Sequence, residues 1–126
     1  MILLSEDLIL KAYDIILKEL RGFISEIDLD EDTSKLRIKL KSGTTVFIRY
    51  NNYGQYSYIV MFSSQKLDRI KFDNFDNKWE VPSKPHHTHP RHQEKAIESP
   101  FKGSSSDNIK FLCSIIQSGK IYRFGL

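Results

Sequence analysis

The sequence contains a single cysteine, Cys113, in 126 residues. One thiol can form neither an intramolecular disulfide nor a cluster of cysteines that ligates zinc or an iron–sulfur centre. This argues against the disulfide-rich secreted domains and against cysteine-ligated metal proteins. We expect the protein to work in a reducing cytoplasm.

Long apolar runs and the commonest nucleotide-binding motifs are also missing. No segment approaches the roughly 18 uninterrupted apolar residues that a membrane-spanning helix needs. The sequence has no Walker loop, no glycine fingerprint of dinucleotide-binding folds and no nucleophile elbow. Membrane-spanning proteins and the commonest nucleotide-binding and hydrolase classes are therefore disfavoured.

The composition is that of one globular domain. Hydrophobic residues make up 40% of the chain and charged residues 28%, which is enough apolar material for a packed core and too much for a disordered chain. A length of 126 residues suits one ordinary domain. We therefore predict a single domain over residues 1–126.

Charge is distributed unevenly along this domain, although its net value is only +3. Residues 1–34 carry nine acidic and three basic side chains, a net charge of −6. Residues 35–73 carry eight basic and two acidic side chains, a net charge of +6, and residues 74–126 carry +3. An acidic first third is therefore followed by a basic remainder, which favours anionic partners.

Two helices are predicted, one near each end of the chain. Ser5 is a good N-cap and Gly22 a good C-terminal stop, and apolar residues recur between them at steps of three and four, which predicts a helix over residues 5–21. The same spacing in residues 105–118, followed by Gly119, predicts a second helix. Each helix has one apolar face that should pack on the core.

Between the helices the apolar period changes to two. From Lys35 onward, charged and apolar residues alternate, as in strands with one buried face. Four such segments fit into residues 35–72, and their connections are so short that neighbouring strands must be antiparallel. Residues 73–103 contain all four prolines and little periodicity, which predicts a long loop. The expected fold is α+β, a four-stranded antiparallel meander flanked by an N-terminal and a C-terminal helix.

All four histidines lie within the segment from His86 to His92. An extended backbone there, favoured by the flanking prolines, would point His87 and His89 to one side and His86 to the other. A histidine with an ordinary pKa of about 6.5 could act as general acid or base at neutral pH, beside a cation such as Arg91. Alternatively, the segment is a solvated loop that carries no reaction.

A bound metal is a third interpretation of these histidines. Neutral imidazole is a common ligand, so His87 and His89 could hold a divalent ion. The sequence shows no third ligand beside them, and only the fold could bring Glu94 or Asp73 close enough. Because histidine-rich segments often fail to bind metal, we expect no cofactor.

Basic side chains occupy the polar side of the predicted meander. Cations on one sheet face, with tyrosines close by, are typical of RNA-binding surfaces, where the cations contact phosphates and the rings stack on bases. Exposed lysines also protect sheet edges, and a basic face can instead dock an acidic partner protein. The candidate nucleic-acid-binding residues are Lys35, Arg37, Lys39, Lys41, Arg49, Arg69 and Lys71.

The order of these features resembles the TumE family, whose members are toxins of toxin–antitoxin pairs. The resemblance rests on Tyr56-Ser57-Tyr58, on a strand that ends in Phe72-Asp73-Asn74, and on Pro85-His86-His87-Thr88-His89 before a short C-terminal helix. It spans roughly residues 35–116 and is more specific than any single motif. The chain departs from the family pattern in having Phe75 to Trp79 where a first histidine pair would stand.

The resemblance implies a cytoplasmic toxin that is restrained by a cognate antitoxin protein, and a homodimer is left open. Together with the basic face, it leads to the hypothesis of a metal-independent ribonuclease. One of His87 and His89 would take a proton from an RNA 2′-hydroxyl, and another histidine or Arg91 would assist the leaving group, while Tyr58 orients the substrate. The alternative is a non-enzymatic binding module. The candidate catalytic residues are His86, His87, His89, Arg91 and Tyr58.

Overall fold

The computed structural model describes residues 4–76 and 78–125. The first three residues and the last residue of the predicted domain lie outside this part of the chain. Asn77, in the segment that departs from the TumE pattern, also lies outside it.

Both predicted helices are present. α1 spans Ser5–Glu19 and α2 spans Ser105–Gln117. The expected Ser5 cap is wrong, because Ser5 is the first helical residue and its backbone N–H donates to Asn52 Oδ1 at 2.8 Å. α2 does have a side-chain cap, in which Ser104 Oγ accepts a backbone N–H of the first turn at 3.2 Å. Among the described residues, no helix has the length and hydrophobicity to cross a membrane.

The strands form one antiparallel sheet whose order follows the sequence. This confirms the predicted α+β fold and its meander, but the sheet has seven strands rather than four. The four predicted strands are β2 to β5, and the additional strands lie before and after them. The strands are β1 (Ile24–Asp30), β2 (Lys35–Leu40), β3 (Thr45–Tyr50), β4 (Tyr56–Met61), β5 (Arg69–Asp73), β6 (His87–His89) and β7 (Ile97–Glu98).

β1 is an additional edge strand in the acidic first third of the chain. Its acidic side chains alternate with apolar ones and lie opposite basic partners on β2, with Asp28 paired to Arg37 and Asp30 to Lys35. Cross-strand pairs of opposite charge stabilise a sheet. The acidic and basic parts of the sequence therefore meet across β1 and β2.

β6 and β7 lie in residues 73–103 and extend the sheet beyond β5. The expectation of a loop over this whole segment is wrong at these two strands. β6 is only three residues long, and it pairs His87 with Asp73 and His89 with Lys71. Because directly paired residues point to the same side of a sheet, this register brings two histidines beside an aspartate and a lysine.

The helices lie against one face of the sheet, and the core lies between the two layers. α1 contacts β2 and β3 and packs against α2. Apolar side chains from both layers are fully buried there, among them Ile9, Ile16, Ile38, Val60, Phe72, Ile109 and Leu112. No helix among the described residues covers the opposite face of the sheet, which we call the open face.

Candidate functional site

Alternate residues of each strand point to the open face, and the strand register aligns them in rows. The first row runs from Asp30 on β1 to Glu98 on β7 and includes Lys35, Arg49, Ser57, Asp73 and His87. The neighbouring row consists of Arg37, Phe47, Ile59, Lys71 and His89. Predicted cations and two of the histidines therefore share one face.

His87 and Asp73 are neighbours in the first row and form a buried ion pair. His87 Nε2 lies 2.9 Å from Asp73 Oδ1, and both side chains are only 2% exposed. The other ring nitrogen, His87 Nδ1, lies 3.0 Å from the carbonyl oxygen of Pro85. Both partners accept hydrogen bonds, so a ring protonated on both nitrogens satisfies them. The geometry thus favours an imidazolium held by a carboxylate.

His89 lies beside this pair and is more accessible. Its ring is perpendicular to that of His87, with the centroids 4.9 Å apart. His89 Nδ1 lies 3.3 Å from the carbonyl oxygen of Glu94, which can only accept, so Nδ1 carries the hydrogen and Nε2 of the neutral ring carries the lone pair. Burial lowers the pKa of His89, and the positive charge of His87 lowers it further. His89 therefore presents an uncharged ring with a free basic nitrogen at neutral pH.

Trp79 packs against both histidines. Its ring centroid lies 6.0 Å from that of His87 and 5.1 Å from that of His89. A large apolar ring in this position excludes water from the ion pair, which strengthens the electrostatic interactions beneath it. Trp79 also attaches the segment between β5 and β6 to the open face.

Two cations of β5 lie on the same side. Lys71 is directly opposite His89 in the sheet, and its Nζ lies 3.5 Å from Asp73 Oδ2. Arg69 is two residues before Lys71 and points to the same face; its positive charge contributes to lowering the pKa of His89. An anion that reaches His89 would therefore lie beside a lysine and an arginine.

The predicted basic face is only partly free. Six of its seven members point to the open face, whereas Lys41 lies in the turn after β2. β1 places acidic side chains beside them, and Arg37 Nη1 lies 2.8 Å from Asp28 Oδ2. Arg49, in the centre of the sheet, is exposed and has no ion-pair partner in the described ranges. The positive charge available to a ligand is thus concentrated toward β3 and β5.

The structure does not bring three of the catalytic candidates to this face. Tyr58 is fully buried on the helix side, because its strand alternation matches that of the core residues. His86 also points away from the open face, as its extended backbone predicts, and its Nδ1 lies 2.8 Å from the hydroxyl of Tyr56. Arg91 Nε lies 2.5 Å from Asp68 Oδ1, so its charge is already paired. His87 and His89 are the two candidates that remain together.

The same cluster could hold a metal ion. Asp73, His87 and His89 each offer one ligand atom, and these atoms all lie within 4.8 Å of one another. Asp73 is therefore the third group that the fold brings to the two histidines, whereas Glu94 reaches His89 through its backbone carbonyl oxygen. Two imidazoles and a carboxylate suit zinc and other first-row transition metals.

Sequence reasoning named Asp73 only as a possible metal ligand that the fold could bring to His87 and His89. It did not identify Asp73 as the ion-pair partner of His87 or Trp79 as the ring that covers the pair. Asp73 is two residues after Lys71 on β5, so the two side chains share one side of the strand, and this could be inferred from the sequence. Its contact with His87 depends on the pairing of β5 with β6, which no periodicity in three residues reveals. No local signal identifies the contact partners of Trp79.

Comparison with known proteins gives a family assignment. Residues 6–117 match the family described as toxin TumE. No curated protein and no solved structure matches the chain. A toxin of a toxin–antitoxin pair has a cognate antitoxin as its partner. Since the match covers most of the chain, the protein belongs to the TumE toxin family.

Proposed function

We propose that this toxin cleaves RNA on the open face, with His89 as general base and without a metal ion. The observation that carries the proposal is the position of His89: an uncharged imidazole directly opposite Lys71 and against the His87–Asp73 ion pair. Such a site offers a proton acceptor and positive charge at one point of a sheet surface, as cleavage of RNA through its own 2′-hydroxyl requires.

The first step is the transfer of a proton. His89 Nε2 takes the proton of a ribose 2′-hydroxyl, and the 2′-oxygen forms a bond to the adjacent phosphorus. The bond between phosphorus and the 5′-oxygen of the next nucleotide breaks. Lys71, as an ammonium group, can give a proton to that leaving oxygen. The products are a 2′,3′-cyclic phosphate and a 5′-hydroxyl end.

The His87–Asp73 pair acts on His89 rather than on the substrate. Both side chains are buried, so neither offers a free nitrogen or oxygen to RNA. The charge of His87 helps to keep His89 unprotonated, and its ring fixes the orientation of the His89 ring by an edge-to-face contact. His87 and Asp73 are positioning residues in this proposal.

Binding of the RNA backbone is assigned to the cations that β3 and β5 place on the open face. Arg49, Arg69 and Lys71 point to the same side of β3 and β5, where they can neutralise phosphates. Lys35 and Lys39 lie next to the acidic side chains of β1, so we expect them to contribute less. An antitoxin that covers the open face would block both binding and cleavage.

A cleavage assay tests this proposal. Purified toxin is incubated with end-labelled single-stranded RNA, with and without a chelator, and the product ends are identified. We expect chelator-resistant cleavage that leaves 2′,3′-cyclic phosphates. His89→Ala should slow cleavage by about 10²- to 10⁴-fold, the usual contribution of a general base, without loss of folding.

The matched control is His92→Asn. His92 is an exposed histidine of the same segment with a φ of 64°, a conformation that asparagine tolerates well, and this variant should cleave like wild type. A His89→Ala protein as active as wild type would contradict the role of His89. Absence of cleavage by the folded wild-type protein would instead support a non-enzymatic module that docks an acidic partner.

A metal-dependent reaction is the second candidate, and the close approach of Asp73, His87 and His89 favours it. In that case a bound ion would supply the activated water or hydroxide. The chelator separates the two candidates, because only this one loses activity when metal is removed and regains it when zinc or manganese is restored.

A further inference from the structure

A second concave site lies on the helix side of the sheet, away from the open face. It has a volume of about 310 Å³, at the lower end of the range of about 300–1,000 Å³ that is usual for small-molecule sites. Strands β3 and β4 form its floor, and the N-terminal end of α2 forms part of its wall. Its lining includes Tyr50, Tyr56, Tyr58, His86, Ser105 and Asn108.

Three of its rings form a nearly parallel stack. The rings of Tyr58 and Tyr56 lie 4.6 Å apart at an angle of 25°, and those of Tyr56 and His86 lie 5.8 Å apart at 22°. Tyr58 is fully buried, whereas His86 is only partly buried and forms the outer end of the stack. A further flat ring could therefore stack at the His86 end.

The polar groups of this pocket are uncharged. Ser105 Oγ donates to the Tyr50 hydroxyl at 2.7 Å, which lies 3.2 Å from the Tyr58 hydroxyl. Burial raises the pKa of Tyr50 and Tyr56 and lowers that of His86, so hydroxyls and imidazole are neutral at neutral pH. Tyr58, whose pKa burial also raises, is the other ionisable side chain among the described residues that line the pocket. These groups suit a neutral heterocycle better than a phosphate.

The pocket and the open-face site share the same end of the sheet. His86 and Asn74 line the pocket. The residues next to them in the sequence, His87 and Asp73, point to the open face and form the ion pair there. An RNA strand that passes around the ends of β5 and β6 would meet both sites. The phosphate that reacts would lie on the open face, and one base of the same strand would lie in the pocket on the helix side of the sheet.

We propose that this pocket binds a single unstacked nucleobase of the RNA strand, a specificity site for the reaction on the open face. The inference rests on the proposed ribonuclease function for its biological role. Its physical basis is the ring stack with one accessible end beside neutral hydrogen-bonding groups. Sequence-specific recognition of RNA commonly uses such stacking of unpaired bases on aromatic rings.

Nucleotide binding to the intact protein tests the proposal. AMP, GMP, CMP and UMP are titrated by calorimetry, and ribose 5-phosphate serves as the ligand that lacks a base. We expect at least one nucleotide to bind and to outcompete ribose 5-phosphate clearly. Equal affinity for ribose 5-phosphate, or no binding of any of the four nucleotides, would overturn the proposal.

Two variants locate the binding. His86→Ala should lower the affinity for the preferred nucleotide by about 5- to 150-fold, the loss typical of a residue that stacks on a base. The control variant His92→Asn should bind this nucleotide as tightly as wild type. Tyr56→Phe retains the ring and should retain most of the affinity. Unchanged affinity in His86→Ala would show that the base lies elsewhere and would contradict the proposal.

Nucleotide binding and RNA cleavage are measured separately, so each proposal can fail without the other. His89→Ala should bind the nucleotide normally, because His89 lies on the opposite face. Nucleotide binding without RNA cleavage would disprove the ribonuclease but not the pocket. Cleavage without nucleotide binding would disprove the pocket alone.

Discussion

Nε2 of His87 and Oδ1 of Asp73 lie 2.9 Å apart in a place where both side chains are 2% exposed. Both groups are removed from water. His87 bonds to Asp73 and to the Pro85 carbonyl oxygen. Asp73 also accepts the backbone N–H of Phe75 at 3.0 Å, and its Oδ2 lies 3.5 Å from Lys71 Nζ. A buried charge that loses its partner is strongly destabilising. The pair also joins β5 to the very short β6, whose own backbone pairing is small.

We therefore expect Asp73→Ala to lower the free energy of unfolding by about 3–5 kcal/mol. Urea denaturation, monitored by circular dichroism, measures this free energy. The control is Lys78→Ala, which removes an ion pair with Asp76 whose side chains are 65% and 50% exposed; its effect should stay below about 1 kcal/mol. Similar small losses in both variants would contradict the burial of the His87–Asp73 pair.

The interior thiol provides a second test of the fold. Burial raises the pKa of Cys113 to about 12, with a contribution from the charge of Glu19. The thiolate is the reactive form, so the native protein should react very slowly with a thiol-specific disulfide reagent at pH 8. In denaturant, Cys113 should react with the reagent at the rate of an ordinary exposed cysteine. Fast labelling of the folded protein would show that α2 is not packed as described.

The regular elements were predictable because their periodicity is local. The apolar steps of α1 and α2 and the alternation from Lys35 onward identify a buried face from the sequence alone. β1 also alternates, but its outward residues are acidic, and a run of acids suggests a turn before the basic partners on β2 are known. Its identity as a strand depends on that pairing.

The candidate site was only half predictable. Alternation in an extended segment places His87 and His89 on one side, and the structure agrees. Which side chains they meet depends on the neighbouring strand and on the path of the chain past Trp79. The same limit applies to Tyr58: its side of β4 follows from alternation, but only the packed helices show that this side is buried.

The pH dependence of cleavage should identify His89 as the base. A general base must be unprotonated, and burial together with the charge of His87 lowers the pKa of His89 below its ordinary value of 6.5. The rate should therefore be constant at neutral pH and fall on acidification, with a midpoint below 6.5. The groups that act on His89 are His87 and Arg69, which lower its pKa, and Asp73 and the Glu94 carbonyl, which raise it.

His87→Asn provides the variant for this pH profile. Loss of the imidazolium removes a charge that lowers the pKa of His89 and leaves Asp73, which raises it. The acidic midpoint of kcat/KM should therefore move to higher pH, while the folded fraction is monitored in parallel. An unchanged midpoint in a folded His87→Asn protein would contradict the coupling between the two histidines.

The salt dependence of RNA binding should distinguish the free cations from the paired ones. RNA with 2′-O-methyl groups cannot be cleaved by the proposed reaction and serves as the ligand. Each phosphate neutralised on a single strand contributes about 0.7 to the slope of log K against log salt. Arg49→Gln, which removes an exposed and unpaired cation on the open face, should reduce this slope by about that amount.

Arg37→Gln is the matched comparison, since Arg37 lies one strand away on the same face. Its guanidinium is 2.8 Å from Asp28 and 3.9 Å from Glu26, so its charge is already balanced and its removal should change the slope much less. An equal change of the slope in the two variants would mean that RNA displaces the acidic side chains of β1 from Arg37 and binds the cations of β2 as well as those of β3. An unchanged slope in both variants would rule out the open face as the RNA-binding surface. A cation that contacts the RNA backbone releases counterions, so its loss must change the slope.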